Sequence, residues 1–449
     1  MIALKKVFQG GIMRHRRLIA SAIAALSVVA LAACAGPSES EPADEPVELE
    51  VWTWLASMPD AAKLFEEANP GITVKVTNLG GDTFTKLQTA MQAGTGGPDV
   101  ASAQFSELPA LVETGGVADI ASYAGPDVEG KYVPWTWSQV SPDGERVWAI
   151  PQDSGPMTMI YRTDVLAEYG IEVPTTWEEF ADAAERLSED SGGTVKIANF
   201  DPTQAAFFYG LVWAEGGQLF EQEGDGWKQT LASPQAIEVA ERWGQLIDAG
   251  YVSTYPRFAA DFADPMNKGL IATSIEAAWG AGNFQTNLDA ANAGKYALAP
   301  MPSADPSAPA AGNWGGSSTL VTTQSEHPEE AALFADFINS DDAAVVSNWE
   351  IDGLFTNSVE GLELPELHDT ESDLNTFFGG QDIVQALSDA SNTVNTDFQW
   401  APWLANVNTV YAKYMDMAVK GEMSYADAIH AWQDETLKQA QAEGYSVSE

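Results

Sequence analysis

Apolar positions along this chain follow two periods in alternation. "VELEVWTW" (47–54) is apolar at every second position, as a half-buried strand is. Ala61, Leu64, Phe65 and Ala68 then recur at helical spacing, and Asn69-Pro70-Gly71 ends that helix. "ITVKVTNL" (72–79) alternates again with Ile72, Val74 and Val76 on one side, and "TFTKLQTAMQAG" sets Phe84, Leu87, Ala90 and Met91 on one helical stripe. "GGPDVASAQ" (96–104) supplies a further strand. Strand and helix alternating in this way predict an α/β fold: a mostly parallel sheet flanked by helices, with ligands at the carboxyl ends of the strands.

The pattern starts afresh after "WAIPQDSGPMTMIYR" (148–162). Helices are expected from Thr176 through Leu187, Pro202 to Ala214 and Pro234 to Ala249, with strands at "LIATSIEAAW" (270–279) and "YALAPMP" (296–302). The Pro/Ala/Ser-rich run "MPSADPSAPAAG" separates this half from "NWGGSSTLVTT" (313–323), and helical stripes dominate from Pro328 onward. About 400 ordered residues exceed what one core usually supports, so two domains are expected. No internal repeat is evident.

The chain's single cysteine, Cys34, sits behind an apolar run. Arg14, His15, Arg16 and Arg17 precede a stretch from Leu18 to Leu31, about 14 residues and roughly 21 Å as helix, short for a ~30 Å hydrocarbon core. A cationic patch, a short apolar run and a small-residue exit describe a secretory signal over residues 1–33. Leu31-Ala32-Ala33-Cys34 resembles the bacterial lipobox, whose cysteine is lipidated and becomes the new N-terminus. The alternative is an ordinary signal cut near Ala33, and Arg16-Arg17 alone is weak support for a twin-arginine route. Met13 offers a second start, which would make residues 1–12 an upstream extension. The Pro-, Ser- and Glu-rich segment 34–46 reads as a flexible acidic linker. The expected location is outside the cell membrane, held by lipid alone.

Charge narrows the partners. With the leader's five cations gone from the chain's 21, 65 acidic residues face 16 basic ones, a net charge of −49. Such a chain repels phosphate, which disfavours nucleic acid and phosphorylated ligands. His327, His368 and His430 stand far apart, and no calcium loop is present, so no metal and no cofactor is expected. "GTGGPDV" lacks the Gly-Lys-Ser/Thr ending of a phosphate loop, and no Gly-x-Ser-x-Gly elbow occurs. The acids of "WEEF" and "HPEEAALFADF" read as helix starts.

An ordered set of loose motifs then becomes specific: "FEEANPGITV" (65–74), "LQTAMQAGTGGPDV" (87–100), "IPQDSGPMTMIYR", "PTTWEEF" (174–180), "WAEGG" (213–217) and "NWGGSS". Over about 46–445 the chain resembles the extracellular sugar-binding proteins of ABC importers, the maltose-binding-protein-like family. The resemblance implies two α/β lobes hinged by crossover segments and closing on a carbohydrate. By that likeness the first lobe is 46–151 plus 302–338 and the second 152–301 plus 339–449. It also implies a monomer that takes a neutral mono- or oligosaccharide and hands it to permease subunits.

The residues support this independently. A sugar presents weakly apolar C–H faces and a rim of hydroxyls, so its site needs aromatic plates and short hydrogen-bonding groups. Fifteen tryptophans are many, and several sit where strands run into loops: Trp54, Trp279, Trp314, Trp400 and Trp403. Gly315 and Gly316 beside Trp314 let backbone approach a ligand closely. Asp153 at the crossover and Gln104 and Glu107 after the third strand are further candidates. Asp82 either faces the ligand or caps the helix from Thr83. Phe377, Phe378 and Asp397 are weaker candidates. Two rival classes remain open at this point: a glycoside hydrolase using a carboxylate pair such as Asp153 and Glu276, and a sugar sensor with the same fold but no transport role. Cys34→Ser is expected to move the protein from the detergent phase to the medium, or to leave uncleaved precursor. Unchanged detergent partitioning of that variant contradicts the anchor.

Overall fold

Strand formation follows the alternating segments. The strands are β1 (Val47–Thr53), β2 (Ile72–Asn78), β3 (Val100–Gln104), β4 (Ile150–Asp153), β5 (Thr158–Arg162), β6 (Ala198–Asn199), β7 (Phe220–Glu223), β8 (Gly226–Gln229), β9 (Val252–Ser253), β10 (Thr273–Glu276), β11 (Tyr296–Pro300), β12 (Ser317–Val321) and β13 (Val447–Ser448). The structure, a computed structural model, describes residues 46–449 apart from 225 and 258; the leader, Cys34 and nearly all of the acidic linker lie outside the described residues.

The first sheet has the order β2-β1-β3-β12-β4. β1 runs parallel to β2 and β3, while β12 is antiparallel to both of its neighbours, so four strands share one direction and β12 opposes them. The second sheet repeats that plan. β5 lies antiparallel between β10 and β11, and a parallel bridge from Lys196 to Ile271 attaches the parallel pair β6–β9. Here β5 alone opposes the rest. Two α/β lobes result, each a mostly parallel sheet flanked by helices and joined by crossover segments.

Helices cover the sheets where the sequence stripes demand. Met58–Ala68 buries Phe65, which meets Phe334 and Phe337 of the helix Pro328–Ser340 edge-on at 5.1 and 5.4 Å. Trp177–Ser191 opens with a capping box: Thr176 accepts from the Glu179 amide and the Glu179 side chain accepts from the Thr176 amide. The acids of "WEEF" are therefore helix-start groups, as their position predicts. In the second lobe Trp243 is a packing centre, with Trp177, Phe180, Phe200 and Phe207 all within 5.3–6.2 Å of its ring.

Three local expectations change. The strand over 270–279 is regular only at Thr273–Glu276, because a turn closed by the Gly280 amide on the Ala277 carbonyl ends it and Trp279 begins the helix Gly280–Asn287. The helix expected from Pro202 starts at Ala205, since Asp201 accepts from both the amide and the hydroxyl of Thr203 and holds a turn there. The small sheet β13-β8-β7 went unforeseen: "FEQE" and "GWKQ" bury too little for an apolar period to register.

Candidate functional site

The two sheets point their carboxyl ends at one place. β4 passes into β5 through residues 154–157, so the end of the first sheet and the end of β10 meet at that crossing. The returning segment 313–317 threads between them. Trp314 donates its amide to the Gly155 carbonyl (2.9 Å), and Gly155 donates to Asn313 Oδ1 (2.8 Å). Asn313 in turn donates from Nδ2 to the Gly315 carbonyl at 2.8 Å, closing a rigid knot. A Cβ on Gly155 would stand 2.1 Å from the Trp314 carbonyl oxygen, so only glycine permits this approach.

Trp279 locks onto the same knot. Its Nε1–H donates to the Trp314 carbonyl at 2.9 Å, and the two indoles meet edge-to-face at 4.9 Å. Trp314 also packs on Phe207 at 5.3 Å and is only 5% exposed, whereas Trp279 remains half-buried. Gly315 and Gly316 follow with φ of +83° and +87°, a conformation other residues adopt at a cost. A Cβ on Gly315 would also press on Trp279 Nε1, and one on Gly316 on the Phe105 ring.

Asp153 closes the first-lobe side. The Ser317 hydroxyl donates to it, and Ser317 Oγ also lies 3.0 Å from Gln152 Oε1. Burial outweighs these bonds and pushes the Asp153 carboxyl up to about 6. Just past the end of β3, the half-buried Glu107 accepts from the Gln104 amide at 2.9 Å, and burial pushes its carboxyl up to about 7.

The structure thus brings Asp153, Trp279, Trp314, Gly315 and Gly316 together. Trp54 and Gln104 sit at the carboxyl ends of β1 and β3 on the same edge of the first sheet, half-buried and exposed respectively. Asp82 follows β2 on that edge, makes no capping bond to the helix Thr83–Ala93, and instead faces Lys86 at 3.4 Å. Trp400 and Trp403 are both buried in packing. Trp400 donates to Gln139 Oε1 (2.8 Å), while Trp403 is enclosed by Phe220, Trp227 and Tyr445 at 4.7–5.8 Å. Phe377 and Phe378 are core, Phe377 being stacked on Tyr296.

Several polar groups at this junction escaped the sequence reading. Asn199 ends β6, Asp201 and Gln204 follow it, and with Arg257, Glu276 and Trp314 they line a cavity of about 10 Å³, room for about one water. Arg257 grips Glu276 through Nε and Nη2 at 2.9 and 2.7 Å, between the rings of Phe262 and Phe284. The rule that ligands gather at carboxyl ends would have marked "ANFDPTQ", had the two-residue strand that opens it been visible.

Comparison with known proteins bears on this geometry. Residues 52–345 match the family model described as bacterial extracellular solute-binding protein. The chain belongs to that family. It is 26% identical over 384 residues to the arabinooligosaccharide-binding protein of Halalkalibacterium halodurans, covering 80% of this chain and 82% of that one. The ABC transporter-associated binding protein of B. animalis subsp. lactis, solved with β-1,6-galactobiose, superposes with a TM-score of 0.76 at 28% identity, over 90% of this chain and 99% of that one. The galacto-N-biose/lacto-N-biose I-binding protein of Bifidobacterium longum, solved with lacto-N-biose, gives 0.78 at 27% identity over the same shares.

Membership makes the chain a binding protein and not an enzyme. A pH signature follows from Asp153. Its folded value of about 6 exceeds the ordinary 3.8, so the folded state binds more protons within that window and loses stability as pH rises through it. Two units correspond to ~3 kcal/mol. Unfolding by urea at pH 4 and pH 7 should show that loss in the wild type and a flatter profile in Asp153→Asn. Parallel profiles contradict the assignment.

Proposed function

We propose that this protein captures a neutral carbohydrate outside the cell and delivers it to the permease of an ABC importer. The junction of Trp279, Trp314, the Gly315–Gly316 backbone and Asp153 carries the reading, because it sets an indole, backbone groups and a carboxylate at the carboxyl ends of both sheets. Trp279, half-buried but fixed by its own N–H, is the plate for a sugar's C–H face. Trp54, Asp82 and Gln104 on the facing edge are read as hydroxyl and ring contacts. Ligand touching both edges favours a closed arrangement of the lobes over an open one.

The remaining parts of the proposal rest on sequence. Lipidation at Cys34 after removal of 1–33 tethers a monomer to the membrane through the 34–46 linker. The lobes are taken as 46–151 plus 302–338 and 152–301 plus 339–449; supporting the first is the placement of β1–β4 and β12 in one sheet. The helix Asp342–Asp352 leans toward the first lobe, since Asp352 accepts from the Ala56 and Ser57 amides at 3.2 and 2.7 Å. A net charge of −49 on the mature chain favours neutral sugars over phosphorylated ones. The relatives' names point to short oligosaccharides: arabinooligosaccharide, β-1,6-galactobiose and lacto-N-biose.

The test is a thermal-shift screen with arabinotriose, lactose, β-1,6-galactobiose, lacto-N-biose and glucose 6-phosphate. A ligand at ~100 times its Kd adds about 2.7 kcal/mol. At least one neutral sugar should stabilise the protein and the phosphate ester should not. Trp279→Ala should weaken that binding roughly 30- to 1,000-fold. Trp314→Ala should weaken it as well and also lower the melting temperature, because Trp314 packs on Phe207. Salt-sensitive binding of the phosphate ester alone, or full affinity in Trp279→Ala, contradicts the proposal.

A further inference from the structure

A second cavity of about 10 Å³ is lined by Gln152 of β4, Asn339 of the helix Pro328–Ser340, Val345 and Asn348 of the helix Asp342–Asp352, and Leu354 and Thr356 just beyond it. All six side chains are buried. The 354–356 segment runs beside the end of β4: Thr356 forms an antiparallel bridge with Asp153, and the Ser154 amide donates to the Phe355 carbonyl at 3.2 Å. β4, two helices and this segment therefore meet at the cavity, which shares no lining residue with the one beside Arg257 and Glu276.

Asn339 is the group that this packing leaves incomplete. Its Nδ2 donates to Thr319 Oγ1 at 2.9 Å and to the Ala335 carbonyl at 2.8 Å, while its buried Oδ1 meets no donor among the described residues. Turning the amide over would set its oxygen against the Ala335 carbonyl, so the hydrogen bonds fix which way it points. Asn348 Nδ2 and Gln152 Nε2 are engaged with the Ile338 carbonyl and Thr319 Oγ1. The Thr356 hydroxyl accepts from the Ser358 amide at 3.0 Å and keeps a proton to give. A buried acceptor without a partner is destabilising, and native interiors supply one from protein or water.

Size and charge decide the guest. The volume has room for about one water. No charged side chain lines the cavity, so an ion would enter desolvated and uncompensated. The guest must donate to Asn339 Oδ1 and accept from Thr356, and water does both. We propose that this cavity binds a single internal water, held by Asn339 Oδ1 and the Thr356 hydroxyl. The water stands at one end of a buried polar chain. Asn339 and Gln152 both donate to Thr319 Oγ1, Gln152 Oε1 lies 3.0 Å from Ser317 Oγ, and Ser317 donates to Asp153. It ties the 354–356 segment to the network that holds Asp153.

A high-resolution crystal structure of the protein tests it. One density peak should stand about 2.5–3.0 Å from both Asn339 Oδ1 and the Thr356 hydroxyl. In solution the same water should give a nuclear Overhauser cross-peak to the Asn339 side-chain amide of 15N-labelled protein. Val345→Ile adds a methyl group toward the cavity and should abolish both signals. Where that variant fails to fold, Asn339→Leu, which removes the acceptor at similar volume, should lose the density peak. A wild-type cavity without a peak overturns the proposal, as does an Asn339 Oδ1 paired with a protein donor. So does a peak that survives Asn339→Leu, since the water would then not depend on that oxygen.

Discussion

The bond from Trp279 Nε1–H to the Trp314 carbonyl ties the two halves of this protein at the point where their sheets converge. Trp279 ends the segment after β10, and Trp314 leads into β12, so one hydrogen bond spans both sheets. Its geometry depends on neighbours with no side chain to obstruct it. Gly155 lets the crossing strands touch, and Gly315 and Gly316 turn the chain through positive φ immediately beyond the carbonyl. Asn313 satisfies the polar groups of that turn on both sides. A buried backbone carbonyl must find a donor, and here the donor is the aromatic plate itself. The plate is thereby oriented before any ligand arrives, which lowers the ordering cost of binding.

Electrostatics separates structural carboxylates from the rest at this junction. Glu276 neutralises Arg257 in a buried pair and fixes the end of β10 three residues before Trp279. Among the described residues Asp153 is paired with no cation; burial, helped slightly by the charge of Asp352, outweighs its bonds to the Ser317 hydroxyl and backbone and raises its carboxyl. Glu107 follows the same logic at the end of β3. Both carboxyls ionise at higher pH than the exposed acids around them, so this junction gains its negative charge last as pH rises.

Periodicity made the first lobe legible. The long alternating strands at 47–53 and 72–78 and the stripe ending at Ala68 appear in the structure almost residue for residue. The second lobe was harder, because β6 and β9 are two residues each and carry no period. Tryptophan position proved a mixed guide. Trp279 and Trp314 met at the crossing because glycines surround them, while Trp403, flanked by apolar residues and a helix, went into packing. Loop-edge position alone does not distinguish these outcomes; the sequence partner that does is a pair of glycines allowing backbone to approach the ring. The polar cluster of Asn199, Asp201 and Gln204 was invisible for the same reason as β6.

Hydrogen–deuterium exchange with and without a stabilising neutral oligosaccharide tests the central claim most directly, since a sugar held at the junction must order backbone from both lobes. The account predicts slower exchange in peptides covering 53–56 and 104–108 on the first sheet's edge, and 277–281 and 313–317 at the crossing. Protection confined to one lobe, or located at 108–113 and 222–227 with none at 277–281 and 313–317, would contradict it.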